Sequence, residues 1–394
     1  MNSATPKAPL KPLPAETPPR HWLDAWHVKP SANRDYEFID GLRGLALLMV
    51  MGCHYLYFKE HPTFANQFVH ALVGRLAFGV SLFFTLSGFL ISWPFWKRKA
   101  RNADSLMPAG YAQRRFWKIY PALALSILIL TPVFIMWQGE ARLFVVTAVQ
   151  WLLGLAFIMP VSGKLNPVMW SLVVEIHFYV VLPLLFLLTR HLSAKTCLAV
   201  IGLLLFAGPV LIQALTGLAP VHAPQIEDPY FTGLSSFCLG VTVAGLDALK
   251  LWSKRWYWVA DVGWLLVLVG LLGSAWVLVN PAGHAPVTGH LFEWVFNLGS
   301  ASLLFYAVQP ENPRARWLCT PWLRWCGIIS YEGYLFHQPL IYFSRGFFGP
   351  TNGGIGKYFL VIGVPLVVSL GLAAAVYRWF SLPILKYGRS RNLE

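Results

Sequence analysis

The chain has 394 residues, of which 56% are hydrophobic and 12% are charged, and its mean hydropathy is +0.55. Soluble proteins carry about 25% charged residues, and single soluble cores stop growing at about 250–300 residues. This composition excludes a disordered chain, a coiled coil, a disulfide scaffold and an ordinary soluble enzyme. It predicts an all-α, polytopic membrane protein.

The charge balance has a different meaning in a membrane protein. Lys and Arg number 31 against 17 Asp and Glu, which gives a net charge of +14. In a soluble chain such an excess would suggest nucleic-acid binding, but the sequence contains no nucleic-acid-binding motif. Because Lys and Arg accumulate in cytoplasmic loops, we interpret the excess as a marker of topology and expect no nucleic-acid partner.

Cysteine usage gives no sign of a disulfide framework or a zinc site. The chain has five cysteines, an odd number, and no two of them form a CxxC pair. Most lie in apolar runs, where cysteine behaves as a small hydrophobic residue.

The first 34 residues are predicted to be a disordered cytoplasmic tail. Six prolines fall in the first twenty positions, and a proline-rich polar segment does not bury enough surface to fold alone. No apolar stretch precedes residue 42, so we expect no cleaved signal peptide. Residues 35–387 form the predicted membrane domain and 388–394 a second cytoplasmic tail, with no separate extracytoplasmic domain expected after the last helix.

Eleven apolar segments follow the tail, and about 20 residues are needed for a helix to cross the hydrocarbon core. They are 42–58, 72–93, 119–137, 142–159, 168–189, 197–215, 231–248, 259–279, 290–308, 325–343 and 357–380.

The charges of the loops decide how many of these segments cross. The densest basic cluster, at 97–118, is assigned to the cytoplasm. If all eleven segments crossed, two basic loops would lie outside and one acidic loop inside. These conflicts disappear if 142–159 does not cross. We therefore predict about ten crossings, both termini in the cytoplasm, and 142–159 as a re-entrant or interfacial segment.

Ionisable groups at membrane depth are costly and are therefore candidates for function. His54 follows Arg43 by eleven residues, about 16 Å of helical rise and about three turns. Arg43 is thus expected near the cytoplasmic face, with His54 near mid-membrane on almost the same face of the helix. A snorkelling Arg and a hydrogen-bonded core His remain the alternative interpretation.

Glu175 and His337 are expected at a similar depth. Each lies roughly 20 Å from the cytoplasmic face when the helical rise is counted from the outer end of its helix for Glu175 and from the cytoplasmic end for His337. A common depth favours one intramembrane site in which His54 is the general base and a carboxylate orients it. A buried Glu satisfied by a partner and a structural His beside Pro339 remain open. No spacing supports a metal bound by these residues, and we predict none.

The basic run before the third segment allows two interpretations. Arg115 and Lys118 lie one helical turn apart, which suits a clamp for a phosphate-rich cytosolic ligand. The same residues also suit an anchor to lipid headgroups.

Taken together, these elements resemble acyltransferase family 3, the integral-membrane O-acyltransferases of polysaccharides, lipopolysaccharide sugars and some glycosides. The resemblance runs from about Arg34 to Tyr387. The matching positions are Arg43 and His54 in the first helix, FFTLSGFLI at 83–91, RFWK at 115–118, WSLVVEIHFY at 170–179 and YEGYLFHQP at 331–339. One position departs from the family pattern in its cationic group, since Lys118 stands where the pattern has a second Arg.

The resemblance implies a cytosolic acyl-coenzyme A donor, which we expect to be acetyl-coenzyme A. It also implies a hydroxyl of a sugar or glycoconjugate as acceptor, and the bacterial cytoplasmic (inner) membrane as location. His54 is then the general base, with Glu175 and His337 shaping the site. Arg43, Arg115 and Lys118 are expected to hold the coenzyme phosphates or to position the donor.

Two other functions compete with this hypothesis. A transporter or exporter of a glycan or lipid-linked sugar would use the buried His and Glu residues as a proton relay. A structural scaffold would leave every buried polar residue replaceable. The sequence leaves the oligomeric state open.

Overall fold

The computed structural model describes residues 22–26, 37–56, 64–103, 105–158, 163–204, 229–252, 256, 258–280, 287–309, 313–349 and 355–390. Within the predicted tail, Trp22–Trp26 forms a 3-10 helix. It is held there because Leu23 is buried against the helices near the C-terminus and Tyr377 donates a hydrogen bond to the Trp26 carbonyl. The rest of the tail lies outside the described residues.

All regular structure in these ranges is helical, which confirms the predicted class. The first eight helices are α1 Glu37–Leu56, α2 Phe64–Arg75, α3 Gly79–Ala100, α4 Tyr111–Gln138, α5 Ala141–Leu152, α6 Trp170–Leu188, α7 Ala194–Leu204 and α8 Pro229–Ala248. The remaining seven are α9 Trp258–Val279, α10 Val287–Ala307, α11 Pro321–Ile328, α12 Ser330–Phe348, α13 Ile355–Tyr358, α14 Val364–Val376 and α15 Leu382–Ser390.

Within the described part of the chain, six helical stretches are long and apolar enough to cross a membrane. They are Glu37–Leu56, Gln67–Ala100, Tyr111–Gln138, Pro167–Leu188, Trp258–Val279 and Phe359–Ser390. The chain is therefore built as a multi-pass membrane protein. The count of ten crossings and the cytoplasmic position of both termini stay predictions.

Segment 142–159 differs from these long helices. Helix α5 has 12 residues, about 18 Å of rise, against a hydrocarbon core of ~30 Å. In addition, Lys99 at the end of α3 donates to the carbonyls of Thr189 and Arg190 just beyond α6, at 3.1 and 2.6 Å. The ends of α3 and α6 therefore lie on one side, which agrees with a segment that does not cross between them.

Close helix pairs at glycines fix the positions of α1 and α3. A Cβ atom added at Gly240 would lie 1.9 Å from the Thr85 carbonyl oxygen, and one at Gly327 would lie 1.7 Å from that of Asp40. Only glycine permits such approaches, which give tight packing where lipid provides no hydrophobic drive. Helix α3 is thereby held against α8, and the start of α1 against α11.

A proline in the middle of α12 leaves a backbone acceptor without its usual donor. Pro339 has no N–H, so the Leu335 carbonyl lacks the hydrogen bond of a regular helix. The Asn166 side chain supplies it, with Nδ2 donating to Leu335 O at 2.8 Å. Asn166 is 2% exposed. At such a buried position the side-chain amide provides the hydrogen bond that water would provide at an exposed one. The turn before α6 is thereby tied to α12.

The same arrangement occurs in α6. Pro183 deprives the Tyr179 carbonyl of its helical donor, and the Tyr111 hydroxyl donates to that oxygen at 3.2 Å. Tyr111 lies at the start of α4, so α4 and α6 are joined at this point.

We expect Asn166→Ala to lower the free energy of unfolding by about 1–3 kcal/mol, the cost of an unsatisfied buried carbonyl. In a Pro339→Ala background the restored N–H serves Leu335, so the same substitution should cost clearly less. Unfolding of the four proteins in mixed detergent micelles measures the coupling. Asn280→Ala is the control, because the Asn280 side chain donates its hydrogen bond to the Trp276 carbonyl, one helical turn earlier in the same segment. Equal losses in both backgrounds would show that Asn166 does not compensate for Pro339.

Candidate active site

His54 and His337 are in direct contact. The Nδ1 atom of His54 lies 2.8 Å from Nε2 of His337, and the ring centroids are 4.9 Å apart with an angle of 28° between the planes. His54 lies in the last turn of α1, and His337, in the middle of α12, is 0% exposed. The structure thus brings together two of the residues that were placed at one depth from the sequence.

The hydrogen-bond partners define the tautomers of this pair. His337 Nδ1 lies 2.9 Å from the Tyr334 carbonyl oxygen and 3.2 Å from that of Gly333. Carbonyl oxygens only accept hydrogen bonds, so Nδ1 of His337 carries the hydrogen and its Nε2 accepts. His54 must then donate from Nδ1, which leaves a lone pair on His54 Nε2. That nitrogen is the one able to take a proton.

Neighbouring side chains bind the backbone of both histidines and fix their positions. The Tyr55 hydroxyl donates to the His337 carbonyl at 3.1 Å and lies 2.5 Å from Ser369 Oγ on α14. Arg345 Nη2 donates to the His54 carbonyl at 3.2 Å. A cation at this position also stabilises the C-terminus of α1.

A cavity of about 680 Å³, part of it open to the surroundings, lies between α1, α3, α4, α6 and α12. Polar side chains contribute more than half of the residues that line it. They are Arg43, Ser87, Lys118, Ser171, Glu175, Tyr179, Ser330, Tyr331 and Tyr334.

Glu175 faces this cavity as a hydrogen-bond acceptor. Its Oε1 atom accepts from the Ser87 hydroxyl at 2.9 Å and from the Tyr179 hydroxyl at 2.8 Å. Ser87 comes from α3, so the bond also links α3 to α6. Donors of this kind stabilise a carboxylate at membrane depth.

The three predicted cations occupy different positions. Arg43 and Lys118 line the cavity, and Arg43 Nη2 donates to Ser330 Oγ at 2.9 Å. Arg115 is not among the lining residues. Its guanidinium lies 5.7 and 5.4 Å from the ring centroids of Tyr111 and Tyr179, so it stands behind Tyr179 in cation–π contact.

The histidine pair and the cavity are separate compartments with Tyr334 between them. Neither histidine lines the cavity, whereas Tyr334 does, and its ring centroid lies 5.7 Å from that of His337. Tyr334 packs with Val50 and Val168, and with Val80 and Phe83 beside them. The expectation that a carboxylate orients His54 is therefore corrected. The partner of His54 Nδ1 is His337, and Glu175 bonds instead to Ser87 and Tyr179, because a shared depth does not determine lateral position.

Sequence reasoning missed Ser87, Tyr179 and Asn166 as contributors. The first two lie inside motif segments, and a search for donors one turn from Glu175 would have found Tyr179. His177, two residues after Glu175, has a different partner, since its Nε2 lies 2.7 Å from the Phe157 carbonyl oxygen. The described residues contain no group of three or more His, Cys, Asp or Glu side chains that could hold a metal ion.

Comparison with known proteins identifies the family of the chain. Residues 36–375 match the model of an acyltransferase domain, acyltransferase family 3. The chain belongs to this family. No solved structure matches the chain.

Curated relatives carry the same domain at low identity. The peptidoglycan O-acetyltransferase OatA of Listeria monocytogenes is 26% identical over 380 residues, covering 89% of this chain and 56% of the relative. The O-acetyltransferase OatA of Staphylococcus aureus is 25% identical over 379 residues, covering 89% and 57%. The acyltransferase MdmB of Streptomyces mycarofaciens is 29% identical over 172 residues, covering 40% and 41%. The chain thus spans about half the length of the OatA relatives.

Proposed function

We propose that this family member is an integral-membrane O-acyltransferase. It moves an acyl group, which we expect to be acetyl, from acyl-coenzyme A to a hydroxyl of a sugar or glycoconjugate. The observation that carries the proposal is the hydrogen bond from His54 to His337. This hydrogen bond leaves a basic nitrogen on His54, close to a cavity that is lined by two cationic side chains.

The cavity is suited to bind an anionic acyl donor. Arg43 and Lys118 line it and Arg115 stands behind its wall, so their positive charge suits the coenzyme phosphates. The apolar part of the lining, including Phe83 and Leu172, suits an acyl chain. Membership of an acyltransferase family supports this assignment.

The histidines supply the base. As the acceptor oxygen attacks the thioester carbonyl, the hydroxyl proton passes to His54 Nε2, a C–O bond forms and the C–S bond breaks. The positive charge that develops on His54 is stabilised by His337, whose Nε2 accepts from His54 Nδ1. The acyl carbon has to pass the Tyr334 side chain to meet the hydroxyl.

The names of the relatives suggest the acceptor. OatA proteins are O-acetyltransferases, in one case of peptidoglycan. We infer a glycan acceptor for this chain, and a location in the cytoplasmic membrane of a bacterium.

His54→Ala should reduce acyl transfer by at least about a hundredfold, the typical contribution of a general base. The measurement is transfer of radiolabelled acetyl from acetyl-coenzyme A to the glycan fraction of membranes that contain the protein. His177→Ala is the matched control, because His177 is a histidine of the same helix as Glu175 whose Nε2 bonds to the Phe157 carbonyl. Full transfer by a folded His54→Ala protein would refute the base assignment.

His337→Gln should retain about tenfold more activity than His337→Asn. The glutamine amide oxygen reaches the position of Nε2 and still accepts from His54, whereas asparagine reaches only the position of Nδ1. A hydrogen bond to a charged group contributes about 1.5–3 kcal/mol, and 1.4 kcal/mol corresponds to tenfold. Equal activity of the two variants in the same transfer assay would show that His337 does not act through this hydrogen bond.

A further inference from the structure

We propose that Lys118 is the general acid that protonates the sulfur of the departing coenzyme. The inference rests on the proposed function and gives Lys118 a role at the thioester, in addition to the attraction of the anionic donor by Arg43 and Arg115. Three features of the structure lead to it.

The first feature is the separation of the two compartments. His54 takes the hydroxyl proton on one side of Tyr334, and neither histidine lines the cavity. The acyl carbon at Tyr334 therefore has its incoming oxygen on the side of His54 and its leaving sulfur on the side of the cavity. A proton held by His54 is on the wrong side for the sulfur, which needs a donor from the cavity wall.

The second feature is that the hydroxyl groups of the cavity already donate elsewhere. Ser87 and Tyr179 donate to Glu175. Tyr331 donates to the Ile119 carbonyl at 2.9 Å, and Tyr334 to the Val168 carbonyl at 3.1 Å. Ser171, which has a single hydroxyl hydrogen, donates to Tyr334 Oη at 2.8 Å, and a serine hydroxyl such as Ser330 is too weak an acid for this step.

The third feature is the chemistry of the remaining groups. Glu175 accepts two hydrogen bonds, as an ionised carboxylate does. The Arg43 guanidinium keeps its protons in proteins. Lys118 lines the cavity and has no hydrogen-bond acceptor within the described structure. Its ammonium group carries three N–H bonds, and unlike an arginine it is able to release a proton.

Charged groups of both signs surround Lys118. The charged groups within electrostatic range of it are Arg43, Arg115, Glu175 and Glu332. The family pattern has Arg at this position, a residue that would supply charge without a proton.

The proton balance of the step is complete. The acceptor C–O bond forms and the C–S bond breaks, with its electron pair moving to sulfur. The hydroxyl proton goes to His54 Nε2, and an ammonium proton of Lys118 goes to sulfur, which leaves as a free thiol. His54 then returns its proton to water, and Lys118 takes one from water.

The test varies the leaving atom while the coenzyme stays the same. Acetyl-coenzyme A and its selenium analogue, acetyl-seleno-coenzyme A, are supplied to detergent-permeabilised membranes that contain the full chain and its endogenous acceptor. Selenols are stronger acids than thiols, so a selenolate leaves without a proton. Acetyl transfer is measured for the wild type, for Lys118→Arg and for Lys386→Arg, an exposed control on α15.

Lys118→Arg keeps the charge and removes the transferable proton. We expect its kcat with acetyl-coenzyme A to fall at least tenfold with KM within about threefold, in the range of general acid catalysis. With the selenium donor its loss should shrink to about twofold. Lys386→Arg should match the wild type with both donors.

Three outcomes overturn the proposal. They are an unchanged kcat of Lys118→Arg with acetyl-coenzyme A, a change in KM alone, and equal losses with both donors. The activity of each variant with the selenium donor reports its folded fraction. If Lys118→Arg does not fold, Lys118→Gln is compared with the wild type on both donors in its place. A wild type that consumes neither donor contradicts the proposed function itself.

Discussion

The hydrogen bond between His54 Nδ1 and His337 Nε2, 2.8 Å long, joins the first membrane helix to one near the end of the chain. Its direction depends on α12, because the carbonyls of Gly333 and Tyr334 accept the single N–H of His337, on Nδ1, and leave its Nε2 as an acceptor. These carbonyls lie in the turn that Pro339 disturbs, and Asn166 satisfies the Leu335 oxygen which that proline leaves without a donor. The two backbone oxygens that face His337 Nδ1 thus determine which nitrogen of His54 is basic.

The site is divided by Tyr334 into a basic pair and a charged cavity. This division suits a reaction that brings a hydroxyl and a thioester together from different directions. A group that removes a proton lies on one side, and groups that hold an anionic donor lie on the other. Hydrogen-bond partners reduce the cost of polar side chains at membrane depth, as Ser87 and Tyr179 do for Glu175.

Much of the fold was predictable from hydropathy, because helices are the structures that satisfy their own backbone in lipid. The distinct behaviour of 142–159 followed from loop charge, and the short α5 agrees with it. The similar depth of His54 and His337 followed from counting helical rise, and the two rings meet. Counting rise gives height alone, so it could not show that Glu175 lies across Tyr334 from His54. Asn166 could not be found in the same way, because its role depends on a hydrogen bond to the Leu335 carbonyl, 169 positions later in the chain.

The direction of the histidine hydrogen bond is the central claim, and solid-state NMR of the protein in lipid bilayers tests it most directly. With ¹⁵N-labelled histidine, the two rings are assigned by their loss in His54→Ala and His337→Ala. At neutral pH, His54 should show a protonated Nδ1 coupled across the hydrogen bond to an unprotonated Nε2 of His337, and its own Nε2 should be unprotonated. An unprotonated Nδ1 on His54, or no coupling between the rings, would contradict the account.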